Sequence, residues 1–303
     1  MTEACQNVAR DAPLASDILS EPCNFRQRIE HRLGELLSFR SQTPKALDEA
    51  MRYSMFSAAK RVRPVLAMIA TRHFGGFEDD ALDFACAIEM VHTASLILDD
   101  LPSMDNAAIR RRRKTLHVAF GEDVALLTAI ALLSQAFGVI AACEALPADM
   151  KSRLVQLLSD TIGFSGLAAG QMRDLRDEAH LKTVDGVTTL NHQKTGVLFV
   201  AAVEGGAVIA GASEEQLRGA QAFARNLGLA FQLYDDLLDA TSTLSALGKD
   251  AGKDSGKRNV ISLLGVEETR NAVRRAIQTA LAPLCEGPLT DYTLKLFAAV
   301  SSG

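Results

Sequence analysis

"ALDFACAIEMVHTASLILDD", residues 81–100, decides the fold class of this chain. Leu82, Ala85, Ile88, Val91 and Ser95 recur at threes and fours, the spacing of one helix face, and no sustained period-two alternation breaks the pattern. Apolar residues also fill much of the remaining circumference, so this helix belongs among other helices. The pattern returns in "GEDVALLTAIALLSQAFGVIAACEAL" (121–146) and "EEQLRGAQAFARNLGLAFQLYDDLLDA" (214–240).

Proline marks where helices are free to run. After Pro64 the next is Pro102, and none falls between Pro147 and Pro283. An interior proline costs a helix about 3 kcal/mol, so these gaps suit long helices. Breakers fall at 74–80, 144–150, 182–188, 210–216 and 248–259, and Ser213 with Gln216 forms a capping-box pattern. The expectation is an all-α bundle of about ten or more helices with no sheet. It occupies a single domain over 24–303 behind a mobile N-terminal tail, 1–23.

Composition narrows the function classes. The 303 residues are 48% hydrophobic and 23% charged with a net charge of -5, enough to build a core and too acidic for a general nucleic-acid or anionic-membrane binder. Five scattered cysteines, with no CxxC and no zinc-finger histidine spacing, read as free thiols in a reducing cytoplasm. The N-terminus has neither signal nor transit character, and no segment reads as a membrane span.

Beyond Leu101 the chain crowds opposed charge: "DDLPSMDNAAIRRRRK", 99–114. Asp99 and Asp105 are six apart, which on an ideal helix would turn them away from each other. Pro102 disfavours helix at Leu101, so the chain loosens there and can return Asp105 to Asp99. A second cluster, "QLYDDLLDA", sets Asp235 and Asp239 four apart on one helix face, where two carboxylates repel unless a cation lies between them. Hard oxygen donors of this kind suit Mg²⁺, which completes its shell with waters and substrate phosphates. The bland alternative is a solvated acidic helix end. Arg110 and Arg111, whose guanidinium forks grip phosphate oxygens bidentately, complement the acids and favour a Mg²⁺-diphosphate. Surface salt bridges, worth about 0–1 kcal/mol each, would account for one or two of the four arginines. Lys60, Arg63, Lys249 and Lys257 read singly as surface charges. Lys194, with Thr195 and Gly196, is placed at the opening of an apolar helix, where backbone amides favour anions. His92 alone reads as a core histidine.

"DDLPSMD", then an arginine pair, "KTG", and "FQLYDDLLD" with a lysine-rich loop behind it resemble the trans-isoprenyl diphosphate synthases. Within them, residues 25–300 look like the bacterial, carotenoid-associated geranylgeranyl diphosphate synthases. The resemblance implies an all-α isoprenoid synthase-like fold around a central cavity, a cytoplasmic homodimer, and no membrane span or nucleic-acid partner. The implied substrates are isopentenyl diphosphate and an allylic diphosphate, with Mg²⁺ as cofactor at about three ions per site.

Carried over by position, Asp99, Asp100 and Asp105 match the first metal motif and Asp235, Asp236 and Asp239 the second. Lys60, Arg63, His92 and Arg111 match the isopentenyl diphosphate pocket. Arg110, Lys194, Thr195, Gln232, Lys249 and Lys257 match the allylic side, with Lys194, Thr195 and Gln232 nearest the chemistry. The family sets product length by a bulky aromatic five residues before the first aspartate. Here Ala94 stands there, followed by Ser95, so the floor moves down to Met90 and Val91 and geranylgeranyl diphosphate is the expected product.

Farnesyl diphosphate, a non-catalytic subunit of a heteromeric synthase, and a class I terpene cyclase are the alternatives. The two intact acidic motifs speak against the subunit, and "KRVRP" against the cyclase. The chain departs from the family at Ala58, Ala59 and Arg112, where glycines are usual and positive φ would strain the replacements.

Overall fold

A computed structural model describes residues 15–38, 43–57, 59–176, 184–246 and 260–298. They are almost entirely helical, as the periodicity requires. The residues group into two compact units, 1–159 with 205–212 and 160–204 with 213–303, which are described in turn.

In the first unit α1 (Ala15–Leu36), α2 (Lys45–Met55) and α3 (Val62–His73) precede a 3₁₀ turn, Glu78–Ala81, that leads into α4 (Leu82–Asp99). The first residues of α1 fall within the segment expected as a tail. α4 is the core: Phe84, Ala85, Cys86, Ala87, Ile88, Met90, Val91 and Ala94 are all buried. Each large apolar side chain buried in this way stabilises the fold by roughly 1.5–3 kcal/mol. Alanines on both helices let α4 lie against α6 (Glu122–Ala142), which buries Ala125, Ala129, Leu132 and Ala136. A Cβ on Gly205 would stand 2.1 Å from the Phe84 ring, and one on Gly206 2.3 Å from the Ala67 carbonyl oxygen, so only glycine fits either place.

Between α4 and α6 stand the one sheet among the described residues and a short helix. β1 (Ile109–Arg110) and β2 (Arg113–Lys114) form an antiparallel hairpin, and α5 (Leu116–Phe120) follows. The hairpin escapes notice in the sequence because each strand is two residues long and the turn is Arg111-Arg112. The usual signal for a two-residue hairpin turn is glycine or asparagine. Both arginines have positive φ, 50° and 63°. Arg112 therefore does occupy the conformation that glycine would favour, at a cost of about 1–2 kcal/mol. Ala59 is not among the residues with positive φ, and Ala58 lies outside the described residues.

α7 (Ala148–Ile162) leads into the second unit, which contains α8 (Leu167–Arg176), α9 (Val184–Asn191), the start of α10 (Val197–Ile209), α11 (Glu214–Ala246), α12 (Val260–Leu264), α13 (Val266–Leu281) and α14 (Pro288–Leu296). The 33-residue α11 buries Leu217, Ala220, Phe223, Ala224 and Leu227 and packs against α13, which buries Val273, Ala276, Ile277 and Ala280. Its capping box is formed as expected. The Ser213 N–H donates to Gln216 Oε1 at 2.8 Å, and the Gln216 N–H donates back to Ser213 Oγ at 3.3 Å.

Two sequence expectations need correction. Glu78–Asp99 and Glu122–Ala142 are long and apolar enough to cross a membrane by length and composition, although interrupting Thr, Ser and Gln residues keep the latter from reading as a continuous apolar span. Glu78–Asp99 is mostly buried inside the protein. α6 instead exposes Leu126, Leu127 and Ile130 on one side, the latter two by 58% and 60%. Cys86 and Cys143 are free and buried, but Cys285 is disulfide-bonded, so five free thiols was too many.

Candidate active site

α4 ends at Asp99, where Pro102 required a break. The chain then folds back on itself through backbone hydrogen bonds. The Met104 and Asn106 amides donate to the Leu101 carbonyl at 2.9 and 3.0 Å, and the Asp105 amide donates to the Asp99 carbonyl at 2.9 Å. Asn106 takes a positive φ of 48°, tolerable for a side chain that can bond locally. Asp105 is thus returned beside Asp99 by the main chain itself.

Asp100, matched to the first metal motif in support of Asp99 and Asp105, is paired with an arginine. Its buried carboxylate accepts Arg110 Nε at 2.8 and 3.0 Å, with Nη2 2.8 Å from Oδ1 and 3.8 Å from Asp99. Burial opposes the charge on Arg110, but the Asp100 hydrogen bonds, with Asp99 and Asp105 nearby, outweigh it and raise the Arg110 pKa. The hairpin is thereby tied to the end of α4. A second tie comes from α2: Tyr53 donates to the Lys114 carbonyl at 2.9 Å, and Arg113 lies over the Tyr53 ring at 4.0 Å.

The same unit brings together the residues matched to the isopentenyl diphosphate pocket. His92 on α4 lies 3.4 Å from Arg63 Nη1 at the start of α3, while Lys60 is exposed just ahead of it. Arg111 reaches Ser57 Oγ at 3.4 Å. Burial, reinforced by Arg63, Arg111, Arg110 and Arg61, holds the His92 imidazole well below its ordinary pKa. The histidine is therefore neutral and able to stand among cations. Arg111 is pulled below its ordinary value by burial and by Arg61 and Arg110, with Glu89 opposing. A cluster of guanidinium groups around a neutral imidazole is a receptor for a polyanion.

Two residues here were missed in the sequence. Arg61 and Glu89 form a buried ion pair, Nη1 to Oε1 at 2.5 Å. Glu89 is the lone carboxylate in the apolar run 84–98, and a buried glutamate needs a cation; that was the available signal.

Of the residues matched to the allylic side, the second unit holds Lys194, Thr195 and Gln232. Lys194 and Thr195 do not open a helix, contrary to the sequence reading. α9 continues through a π-helical turn, His192–Gly196, directly into α10, so the backbone amides there are not a free helix start. Single π turns inside α-helices recur at functional sites. Lys194 is paired with Asp174 on α8, and Arg173 bonds to Gln193 in the same turn. Asp174 was also missed, because "MRDLRD" reads as a solvated charge run. A Cβ on Gly228 of α11 would meet the Gly196 Cα at 3.0 Å, which records how closely α11 approaches the π turn. Gln232, one turn further along α11, donates to Asp236 Oδ1 at 3.1 Å. Asp235, Asp236 and Asp239 follow along α11 at the expected spacing. Lys249 and Lys257 lie outside the described residues.

Of the four chain-length candidates, Met90, Val91 and Ala94 are fully buried and border no solvent-accessible space. Ser95 is only partly buried, its hydroxyl donating to the His92 carbonyl at 2.8 Å. Ser95 is thus the most accessible of the four.

Carboxylates are hard oxygen donors of the kind Mg²⁺ takes one or two at a time beside waters and phosphates. Among the described residues no three His, Cys, Asp or Glu side chains converge on one point.

Comparison with known proteins agrees with the geometry. The model of the polyprenyl synthetase family matches residues 44–284. The geranylgeranyl diphosphate synthase of Pseudescherichia vulneris is 42% identical over 84% of this chain and 83% of its own. That of Pantoea ananas is 40% identical over 90% and 93%. Among solved structures, an FPP/GFPP synthase from Zymomonas mobilis superposes with a TM-score of 0.80 at 32% identity, covering 92% of this chain and 97% of that one. With an acidic turn rebuilt across a proline and a guanidinium cluster in one unit, and an acidic helix face in the other, the chain belongs to the polyprenyl synthetase family.

Proposed function

We propose that this protein is a Mg²⁺-dependent, chain-elongating prenyltransferase that joins isopentenyl diphosphate to an allylic diphosphate and forms mainly geranylgeranyl diphosphate. The observation that carries the reading is the Arg63, Arg110 and Arg111 cluster around neutral His92, beside the Asp99–Asp105 turn. The relatives' names favour the C20 product.

Lys60, Arg63, Arg111 and His92 bind isopentenyl diphosphate. Arg110, Lys194, Lys249 and Lys257 are the cations assigned to the allylic diphosphate, and positive charge held where negative charge develops on the departing oxygens favours heterolysis of its C–O bond. The Thr195 hydroxyl and the Gln232 amide oxygen stabilise the allylic cation. The isopentenyl double bond attacks that cation, a new C–C bond forms, and the proton lost from the adduct passes to the released pyrophosphate. Asp99, Asp105, Asp235, Asp236 and Asp239 would hold Mg²⁺, which would supply neutralisation of diphosphate charge, while Asp100 anchors Arg110. Apolar helix walls exclude the water that would quench the cation as an alcohol.

Product length is read at Ser95, with Ala94, Val91 and Met90 beneath it. Substituting Ser95→Phe shortens the main product by at least one isoprene unit; an unchanged alcohol on chromatography counts against this wall. The synthase domain is 24–303, cytoplasmic and homodimeric. The apolar side of α6 at Leu126, Leu127 and Ile130 is the face offered to the second copy. The product fits supply to carotenoid synthesis.

Pyrophosphate release tests the reaction class. Release that requires isopentenyl diphosphate, an allylic diphosphate and Mg²⁺ together is expected, and is abolished by EDTA. Release from the allylic substrate alone would mark a cyclase, and none at all a non-catalytic subunit.

A further inference from the structure

We propose that the buried Arg61–Glu89 pair is a positioning device that sets the isopentenyl diphosphate pocket before ligand arrives; the substrate named here rests on the synthase reading above. Both side chains are almost inaccessible, 2% and 3% exposed. A buried ion pair is poor evidence for stability, since an apolar pair of similar shape often serves the fold as well. Its presence here follows better from what it connects.

Arg61 lies between Lys60 and Arg63 and takes a left-handed φ of 53° as the residue that caps α3. Its guanidinium bonds Glu89 on α4, donates to the Met55 carbonyl at the end of α2, and lies 3.8 Å from Glu30 on α1. One residue therefore ties the loop after α2 to α4 at the point where the pocket cations emerge. Glu89 stands three residues before His92, on the same face of α4, and His92 meets Arg63. Two rungs, Arg61 to Glu89 and Arg63 to His92, fix the register of "KRVRP" along α4. Glu89 also acts electrostatically on Arg111, so its carboxylate is a resident counter-charge for guanidinium groups that would otherwise repel one another in the ligand-free protein.

The experiment compares wild type with the double variant Arg61→Met/Glu89→Leu. It measures thermal stability, calorimetric binding of isopentenyl diphosphate without the second substrate, and KM for each substrate. The double variant is expected to melt near wild type, to bind isopentenyl diphosphate at least about tenfold more weakly, and to raise only that substrate's KM. Binding within about twofold of wild type overturns the inference. If the double variant does not fold, Glu89→Gln gives the same readout with near-identical shape: weakened binding supports the inference and unchanged binding overturns it. A wild type that binds isopentenyl diphosphate yet forms no prenyl product sinks the synthase reading alone, because the binding comparison still decides the role of the pair. A wild type that does not bind it sinks both.

Discussion

The two acidic motifs are built by opposite means. In the first unit Asp99 and Asp105 are joined across a broken helix end, and the join depends on Pro102, on a fold-back of main-chain hydrogen bonds and on Arg110 locked to Asp100. In the second unit Asp235, Asp236 and Asp239 are spaced by the regular turn of α11, with Gln232 bonded to Asp236 one turn earlier. A motif made by a loop carries its own scaffold of supporting residues, whereas a motif made by a helix borrows the scaffold of the fold. Substitutions beside the first should therefore disturb function out of proportion to their chemistry, and equivalent substitutions beside the second should not.

The largest break in that comparison is Pro102→Ala. Without the proline, helix becomes available at Leu101, Asp105 turns away from Asp99, and activity should fall by roughly 100-fold while circular dichroism stays helical; a 1 Å misplacement alone can cost that much. Activity within a few-fold of wild type would show that the backbone hydrogen bonds hold the turn unaided.

Asp100→Asn compared with Asp236→Asn sharpens it further. The first keeps one acceptor for Arg110 but removes its buried counter-charge and second acceptor, and should cost about 1–2 kcal/mol of stability in denaturant unfolding, the charge-assisted bonds being discounted for partial exposure. The second should cost under about 1 kcal/mol, because an amide still accepts from Gln232. Equal losses would erase the distinction between loop-built and helix-built motifs.

His92 gives the first unit a pH dependence. Its folded pKa is depressed below the unfolded value, so the unfolded chain binds the extra proton first and stability falls as pH drops below about 6.5. The loss continues until the folded pKa is reached. His92→Gln should flatten the fall in melting temperature between about pH 6.5 and 5; an identical slope would mean that His92 is not the titrating group.

The smallest effect is expected at the hairpin turn. Arg112→Gly should add about 1 kcal/mol of stability, since glycine accepts the positive φ that arginine resists. A destabilised variant would show that the Arg112 side chain contributes more than its backbone costs.

What the sequence revealed followed from local physics. Helical periodicity, the break at Pro102 and the Ser213–Gln216 cap each depend on residues within a few positions of one another, and each appears as read. Lys194 was misplaced because a π turn keeps a helix continuous through a Lys-Thr-Gly segment that resembles a start signal. Glu89 and Asp174 were missed for another reason: their partners, Arg61 and Lys194, are far away in the chain and no local spacing announces them. α6 reads as apolar around much of its circumference and hence as buried, yet folding leaves Leu127 and Ile130 exposed on one side.

Chromatography of the dephosphorylated products of the wild-type protein, given Mg²⁺, isopentenyl diphosphate and, in separate reactions, dimethylallyl, geranyl and farnesyl diphosphates, tests the central claim most directly. Geranylgeraniol as the main alcohol is the predicted result. Farnesol as the end product would keep the chemistry and refute the wall at Ser95, and no prenyl alcohol from any primer would contradict the account.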